Sequence, residues 1–241
     1  TGFILQVDPP TTKASRFKCF DGSGIYWLYF AGNHLTHIVK GVFYKVPVSL
    51  LDFTDKGALA GLSTLTFVQL SNNNIGDLKL STLGDLNTPL NGLSLSDNGI
   101  FYIDIGVFKN TKIDMLDFFL NHIKSIKKGL FHNVKMYTIN LSENEITEIE
   151  EDAFGDIEDL SHIDVSLNKL TEVKKRMFSL PLDEANLEDN VITKIDNDAL
   201  NGLPLSSLQI KNNPICCQEQ RLTYCVFNNK FSVSLFVTFP S

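Results

Sequence analysis

An eleven-residue frame recurs along most of this 241-residue chain and constrains its fold more than any other feature. The frame has a polar residue at position zero, with apolar residues eight, five and three positions before it and two after it. Residues 136–146, MYTINLSENEI, carry Asn144 at position zero. Seven more stretches fit with asparagine, and they begin at residues 25, 65, 90, 113, 160, 182 and 205. A ninth, residues 48–58, fits with Lys56 instead.

The spacing of the frame identifies the repeat. Successive frames begin 17 to 25 residues apart, a period that with this pattern is the signature of leucine-rich repeats. The sequence therefore predicts an α/β leucine-rich-repeat solenoid, a horseshoe of about nine repeats with a parallel concave sheet and a cap at each end. We expect an N-terminal cap over residues 1–24, repeats over 25–215 and a cysteine-containing C-terminal cap over 216–241. The short unit with Lys56 is expected to be irregular.

The recurring asparagine has a physical reason. Each coil leaves its strand in a sharp turn, which buries backbone N–H and C=O groups that no sheet ladder satisfies. An asparagine amide carries both a donor and an acceptor. We therefore expect the position-zero asparagines, among them Asn98, Asn121, Asn144 and Asn168, to align in a continuous ladder that bonds the turns of successive coils.

A second row of residues supports the frame independently. The residue ten positions after position zero is expected to be buried on the convex side, and it is aromatic or aliphatic in the seven units that begin at residues 25, 65, 90, 113, 136, 160 and 182, whereas it is Thr66 in the unit with Lys56. These residues are Phe43, Leu83, Phe108, Phe131, Phe154, Phe178 and Leu200. Much of the phenylalanine content, 18 residues, is therefore predicted to form a spine in the core.

Composition and motifs narrow the function classes. A net charge of −7 gives no electrostatic footprint for nucleic acid or an anionic membrane surface. No apolar stretch reaches the roughly 18–20 residues that span a bilayer. Glycine-rich phosphate loops, G-x-S-x-G elbows and HExxH motifs are absent from the sequence. We expect a chain that is not an enzyme and has no catalytic residue, cofactor or metal site.

The four cysteines indicate the compartment. Cys216, Cys217 and Cys225 cluster beyond the last repeat, whereas Cys19 lies alone before the first. Disulfides commonly brace the caps of extracellular leucine-rich-repeat proteins, so we expect a secreted protein; a cytosolic chain with reduced thiols is the alternative. Cys225 is expected to pair with Cys217 or Cys216. The cysteine left over suggests a covalent partner.

Binding residues are expected on the concave face of the sheet, here called the solvent face. It is formed by the residues six, four and two positions before each asparagine. The candidates for partner binding are Trp27, Tyr29, Leu50, Phe67, Met115, Phe119, Asp164, Glu184 and Glu188. Exposed aromatic residues often mark contacts, although the N-terminal cap covering Trp27 and Tyr29 is the alternative. Residues 140–142 form a glycosylation sequon at Asn140, and the acidic run 148–160 is expected on the convex side as a solvated face.

Residues 25–215 resemble extracellular leucine-rich-repeat proteins. Within that group, the adjacent Cys216 and Cys217, the sparse N-terminal cysteine and the Phe-rich repeats look like those of mosquito and other insect leucine-rich-repeat immune proteins. The resemblance implies circulation in haemolymph, disulfide-linked pairing through Cys216 and Cys217, and binding of complement-like thioester proteins. The chain departs from the longer members because no heptad coiled coil follows, so it resembles a coil-less or truncated form.

Three functional hypotheses follow. The first is a secreted, non-catalytic recognition or scaffold protein of insect innate immunity, whose partner is another protein: a thioester protein or a second leucine-rich-repeat chain in a disulfide-linked dimer. The second is an extracellular-matrix or adhesion module, against which the lone Cys19 argues, because such modules usually carry a four-cysteine N-terminal cap. The third is direct binding of a microbial lipid or glycan, for which Trp27 and Phe67 are the only hints.

Overall fold

One parallel sheet dominates the chain. The computed structural model describes residues 3–6, 25–29, 66–80, 89–178, 181–196, 199–200 and 208–217, with residues 3–6 and 25–29 described as backbone only. Among these residues nine strands pair side by side in chain order. The strands are Phe3–Gln6, Ile25–Tyr29, Phe67–Gln69, Leu90–Ser94, Ile113–Asp117, Thr138–Asn140, His162–Asp164, Glu184–Asn186 and Leu208–Gln209.

The register of the sheet follows the sequence frame. Residues six positions before each asparagine pair with one another across neighbouring strands, as Gly92 does with Met115, Met115 with Thr138 and Thr138 with His162. Side chains of the same frame position therefore form rows that run across the sheet. This confirms the predicted leucine-rich-repeat solenoid with a parallel sheet.

The N-terminal part of the sheet departs from the predicted order. Trp27 pairs directly with Phe67, so no strand lies between Ile25–Tyr29 and Phe67–Gln69. The unit predicted at residues 48–58, with Lys56, lies outside the described residues, and its expected irregularity stays a prediction. The Phe3–Gln6 strand extends the sheet from the segment that the sequence assigned to the cap.

The return segments contain no α-helix among the described residues, and the expected α/β class is wrong there. They form single turns and two-stranded parallel sheets that pair Ser125–Ile126 with Glu148–Ile149, Val134–Lys135 with Ile157–Glu158, and Glu172–Val173 with Lys194–Ile195. Residues with positive φ, such as Asn110 (61°), Asn133 (55°) and Arg176 (61°), end these turns before a helix can extend. The coil is also too short to hold a long helix in addition to its strand and turns.

Phenylalanines form a spine through the core. Phe108, Phe131, Phe154 and Phe178 are each at most 2% exposed. Their ring centroids follow one another at 5.9 Å, 5.9 Å and 6.4 Å. The row predicted from the sequence is therefore confirmed at these four positions, and Leu200 packs against the same core. Phe43 and Leu83 lie outside the described residues.

The asparagine ladder is present and continuous over most of the described coils. Asn144 donates from Nδ2 to the carbonyl of Phe118 in the preceding coil at 2.9 Å, and its Oδ1 accepts the Ile123 N–H at 3.0 Å. The same pair of bonds recurs at Asn121, Asn168, Asn190 and Asn213. The ladder breaks at its start: among the described residues the Oδ1 of Asn98 has no partner, and Gly76 N bonds the Asn98 backbone carbonyl instead.

The residue immediately before each described ladder asparagine has a left-handed backbone. These residues are Asn72, Asp97, Leu120, Glu143, Leu167, Asp189 and Asn212, with φ between 50° and 57°. Asparagine and aspartate tolerate this conformation, whereas other L-residues adopt it at a cost. Leu120 and Leu167 adopt this left-handed conformation although they are 43% and 47% exposed. Neither an intrinsic backbone preference nor full burial of the side chain therefore stabilises the conformation at these leucines.

The acidic run 148–160 is matched by basic residues in the coils on either side. Asp152 binds Lys128 of the preceding coil at 3.2 Å and Arg176 of the following coil. Burial raises the pKa of Asp152, but hydrogen bonds and charge from Lys128 and Arg176 outweigh that effect and hold it below its usual value. Glu148 likewise binds Lys174 at 2.7 Å. The run therefore serves contacts between coils.

Candidate functional site

The residues four positions before each asparagine form a second row of hydrogen bonds, on the solvent face. Asp117, Asn140, Asp164 and Asn186 each accept, through Oδ1, the backbone N–H two residues further on, at 2.9–3.1 Å. The row is also linked from strand to strand, because Ser94 donates to Asp117 at 3.1 Å and Asn186 donates to Asp164 at 3.1 Å. These bonds commit the row to the sheet itself, although the sequence frame placed it, with Asp164, on the predicted partner-binding face. Asp164 is 7% exposed and is part of the floor of the face.

Asp117 is the carboxylate most affected by this environment. Burial raises its pKa above the ordinary value, and hydrogen bonds from the Phe119 N–H, Ser94, Asn140 and Ser96 lower it by less. Among the described residues no cation lies beside this carboxylate, so its negative charge costs free energy when it is buried. The strand end is therefore held by a carboxyl group that keeps its proton to a higher pH than in the unfolded chain.

Asn140, the sequon asparagine, lies in the middle of this row. It is 8% exposed, and its Oδ1 accepts both the Ser142 N–H at 3.0 Å and the Ser142 hydroxyl at 2.6 Å. A glycan on its Nδ2 would have to leave through the floor of the solvent face. The burial of the Asn140 amide therefore counts against the glycan that the sequon predicts.

Larger side chains rise from this floor at the positions six and two before each asparagine. Phe67, Met115, Phe119, Glu184 and Glu188, all predicted partner contacts, are half-buried. Phe67 and Met115 flank Gly92 in the register, so two strand spacings of roughly 4.8 Å each separate their backbones. Gly92 contributes no side chain between them, which opens a groove on this part of the face.

The C-terminal part of the solvent face is polar and acidic. Glu184 accepts a hydrogen bond from Gln209 and lies 4.0 Å from His162 Nε2. Burial raises the pKa of Glu188; Lys211 lowers it, and Asp189 and Asp164 add to the rise. The solvent face therefore changes from apolar at Phe67 and Met115 to acidic at Glu184 and Glu188, and Asp164 contributes charge from beneath the surface.

The groove lies beside Phe67 and Met115, two of the predicted binding residues. It encloses about 530 Å³ at the edge of the sheet where the strands begin. Its lining residues are Phe67, Asn91, Asp114, Met115, Lys135, Met136, Tyr137 and Asp159. Tyr137 is 49% exposed and its ring lies 5.1 Å from that of His162. Lys135 is paired with Asp159, and this bond raises the pKa of the lysine.

Asp114 stands out within the groove. It is half-buried, and its carboxylate has no hydrogen bond or ion pair to any residue in the part of the chain that the structure describes. It acts on Lys135 only through its charge, as a smaller contribution to the raised pKa of that lysine. The groove therefore contains one carboxylate free for a ligand and another already bonded to a lysine.

Several predicted site residues are described only in part or not at all. Trp27 and Tyr29 lie in the Ile25–Tyr29 strand, and their side chains are outside the described part, as are Leu50 and Cys225. Cys216 and Cys217 lie in the 3₁₀ helix Pro214–Cys217, and Cys216 is disulfide-bonded. Which cysteines pair, and whether any pair links two chains, stays a prediction.

The sequence did not single out Asp114, Lys135, Met136 or Tyr137. Asp114 and Tyr137 stand seven positions before their asparagine, Met136 stands eight before and Lys135 nine, all at positions that the solvent-face rule ignores. One signal was available: Tyr137 is an aromatic residue beside an alternating strand, at a position occupied by Asn91, Asp114, Ser161 and Asp183 in other units. Among the described residues, no group of three potential metal ligands comes together, and no helix is long and apolar enough to cross a membrane.

The comparisons with solved structures agree on the fold. The chain matches the structure of a TLR13–ssRNA13 complex with a TM-score of 0.63 and 22% identity, over 79% of this chain and 30% of that one. It matches the leucine-rich repeat domain of APL1B (0.57, 17%, 78% of this chain and 55% of that one). It also matches a leucine-rich repeat protein from Bacteroides eggerthii DSM 20697 (0.54, 21%, 78% and 31%).

These likenesses have limits. At identities of 17–22% they show the fold alone, and the chain spans between 30% and 55% of the length of these three proteins. None of the curated proteins matches the chain significantly. A family model does: the BspA-type leucine-rich repeat region matches six copies across residues 101–231, which is more than half of the sequence. The chain therefore belongs to the BspA-type leucine-rich-repeat family.

Proposed function

We propose that this chain is a non-catalytic scaffold that binds another protein through the solvent face of its sheet. The observation that carries the proposal is the construction of that face. A floor of hydrogen-bonded Asp117, Asn140, Asp164 and Asn186 holds the strand ends rigid. Side chains such as Met115 stand half-exposed above it. Rigid apolar and charged groups on a preorganised surface lower the entropy cost of binding.

The biological setting is part of the same proposal. The sequence resemblance supports a secreted protein of insect innate immunity that acts in haemolymph, with a complement-like thioester protein or a second leucine-rich-repeat chain as its partner. The double cysteine at Cys216 and Cys217 supports a disulfide-linked pair, which non-reducing against reducing gel mobility of the secreted protein would reveal. About nine repeats in a horseshoe, capped by residues 1–24 and 216–241, complete the proposed architecture.

Site-specific photo-cross-linking tests which surface binds. A benzophenone amino acid would replace Phe119 on the solvent face, and in a matched protein would replace Lys109, which is exposed in a return segment. Both proteins would be irradiated in extracellular fluid of the source organism. We expect a defined protein adduct from position 119 and none from position 109. Adducts from position 109 alone, or from neither position, would contradict the proposal.

A further inference from the structure

The groove where the strands begin has the chemistry of a side-chain receptor. Phe67, Met115 and Tyr137 give it apolar and aromatic walls, and Asp114 places an unpaired carboxylate among them. Its ionisable lining comprises two carboxylates, Asp114 and Asp159, against the single ammonium of Lys135, which leaves a net charge of −1. A long side chain with an apolar stem and a cationic end complements both properties.

We infer that this groove takes an arginine side chain from an extended segment of the protein partner. Arginine fits better than lysine because its planar guanidinium can stack on an aromatic ring and donate two parallel hydrogen bonds to one carboxylate. The stem would lie along Met115, the guanidinium would lie on the exposed Tyr137 ring, and its donors would bind Asp114. Lys135 would not compete for Asp114, because Lys135 is already bonded to Asp159.

Charge on the rest of the molecule favours the same partner. The chain carries −7 overall, and Glu184 and Glu188 rise from the solvent face further along the sheet. A basic segment lying across the strands would meet the groove at one end and these carboxylates at the other. This inference rests on the proposed function, since it specifies which part of a protein partner the sheet recognises.

The methionines provide a direct readout. The chain contains three: Met115 lines the groove and is half-buried, Met136 also lines the groove although it is only 1% exposed, and Met177 is 1% exposed in the core and is not among the lining residues. A protein labelled with ¹³C at the methionine methyl groups would therefore report groove occupancy through two signals and carry its own control in the third. The probes are the capped tetrapeptide acetyl-Gly-Arg-Leu-Gly-amide and the same peptide with citrulline, which keeps the shape of arginine without its charge.

We expect the arginine peptide to shift the Met115 and Met136 signals saturably and to leave Met177 in place. It should bind about tenfold more tightly than the citrulline peptide, since a charge-assisted bidentate contact is lost. Asp114→Asn should bring the arginine peptide to the affinity of the citrulline peptide. Asp97→Asn, an exposed aspartate at the other end of a strand, removes the same charge and should leave binding unchanged.

Three results would overturn the inference: unmoved Met115 and Met136 signals, equal affinity for the two peptides, or full binding by Asp114→Asn. An unmoved Met177 signal in each variant verifies that the core is intact, and Tyr137→Leu, at an exposed ring, provides a second test that should weaken only the arginine peptide. If the arginine peptide does not bind in the groove while position 119 still cross-links to a protein, the proposed scaffold function stands and only the arginine recognition by the groove is wrong.

Discussion

The Oδ1 of Asn144 accepts the backbone N–H of Ile123 at 3.0 Å, across the boundary between two coils. Ile123 is buried and lies in a turn, where no sheet partner reaches its N–H. One side chain therefore supplies the hydrogen bond that secondary structure does not. Its repetition along the chain explains how coils with different return segments keep the same spacing.

Replacing this rung should destabilise the whole solenoid. Asn144→Ala leaves the buried Ile123 N–H without its partner and removes one of the two amide donors of the Phe118 carbonyl, the other being Asn121, so we expect the free energy of unfolding to fall by roughly 2–4 kcal/mol. Urea denaturation would measure it. Asn74→Ala, at an exposed asparagine one residue after a rung, is the control and should change stability by less than about 0.5 kcal/mol. If the two substitutions changed the free energy of unfolding equally, the ladder would not be a source of stability.

The phenylalanine spine gives a second stability test. Phe154 packs between Phe131 and Phe178 and is 1% exposed. Phe154→Ala should lower the unfolding free energy by about 3–5 kcal/mol because the cavity lies between coils that cannot collapse onto it. Phe101→Ala, at a ring that is 55% exposed and stacks only on His122, should cost less than about 1 kcal/mol. A cost below 1 kcal/mol at Phe154 would contradict the packing described.

The buried Asp117 predicts a pH dependence. Its pKa in the folded chain lies above the ordinary 3.8, so its contribution to stability is fully present below that value and is lost as the pH rises through the folded pKa. Asp117→Asn removes this loss. We therefore expect the stability of the variant relative to wild type to increase between pH 4 and pH 7 in urea titrations. A difference between Asp117→Asn and wild type that stays flat with pH would contradict the burial effect.

The left-handed leucines predict a stabilising substitution. Leu167 is 47% exposed at φ 53°, where asparagine pays a smaller conformational penalty. Leu167→Asn should raise the unfolding free energy by about 0.5–1 kcal/mol. Val191→Asn is the matched control, because Val191 is also 47% exposed but is not among the residues with positive φ. A gain at both sites, or at neither, would show that backbone conformation is not the cause.

The sequon gives a prediction for secreted material. Because the Asn140 side chain is buried and bonded to Ser142, we expect the folded, secreted protein to carry no glycan at that residue. Intact mass before and after treatment with peptide-N-glycosidase would measure this. A folded protein that loses a glycan from Asn140 would contradict the floor described for the solvent face.

The sequence was sufficient for features that depend on a repeated position. Asn121, Asn144 and Asn168 could be assigned to a ladder because each recurs at the same offset from an apolar strand, and Phe131 and Phe154 could be assigned to the core in the same way. These predictions are confirmed. They needed no knowledge of the return segments, because the frame alone fixes which side chains meet across coils.

The features that the sequence missed depend on neighbours from different frame positions. Asp164 was expected at the surface. Its side chain instead bonds to Ser166 and Asn186, and the bond to Asn186 depends on the pairing of two strands, which the sequence does not show. The groove is lined by Asp114 in one coil and Tyr137 in the next, and the missing side chain at Gly92 leaves space between Phe67 and Met115. The helices implied by the α/β class failed because the turns after residues such as Phe108 end at left-handed Asn110.

Native-state hydrogen exchange can measure whether the ladder asparagines protect the backbone N–H groups that they bind. The N–H groups of Ile123, Ile146, Leu170 and Ile192 bond to Asn144, Asn168, Asn190 and Asn213, respectively. If amide rungs hold the coils together, these four N–H groups should exchange nearly as slowly as the sheet amides, and Asn144→Ala should accelerate Ile123 most strongly. Exchange at the rate of exposed loops in the unsubstituted protein would contradict the account.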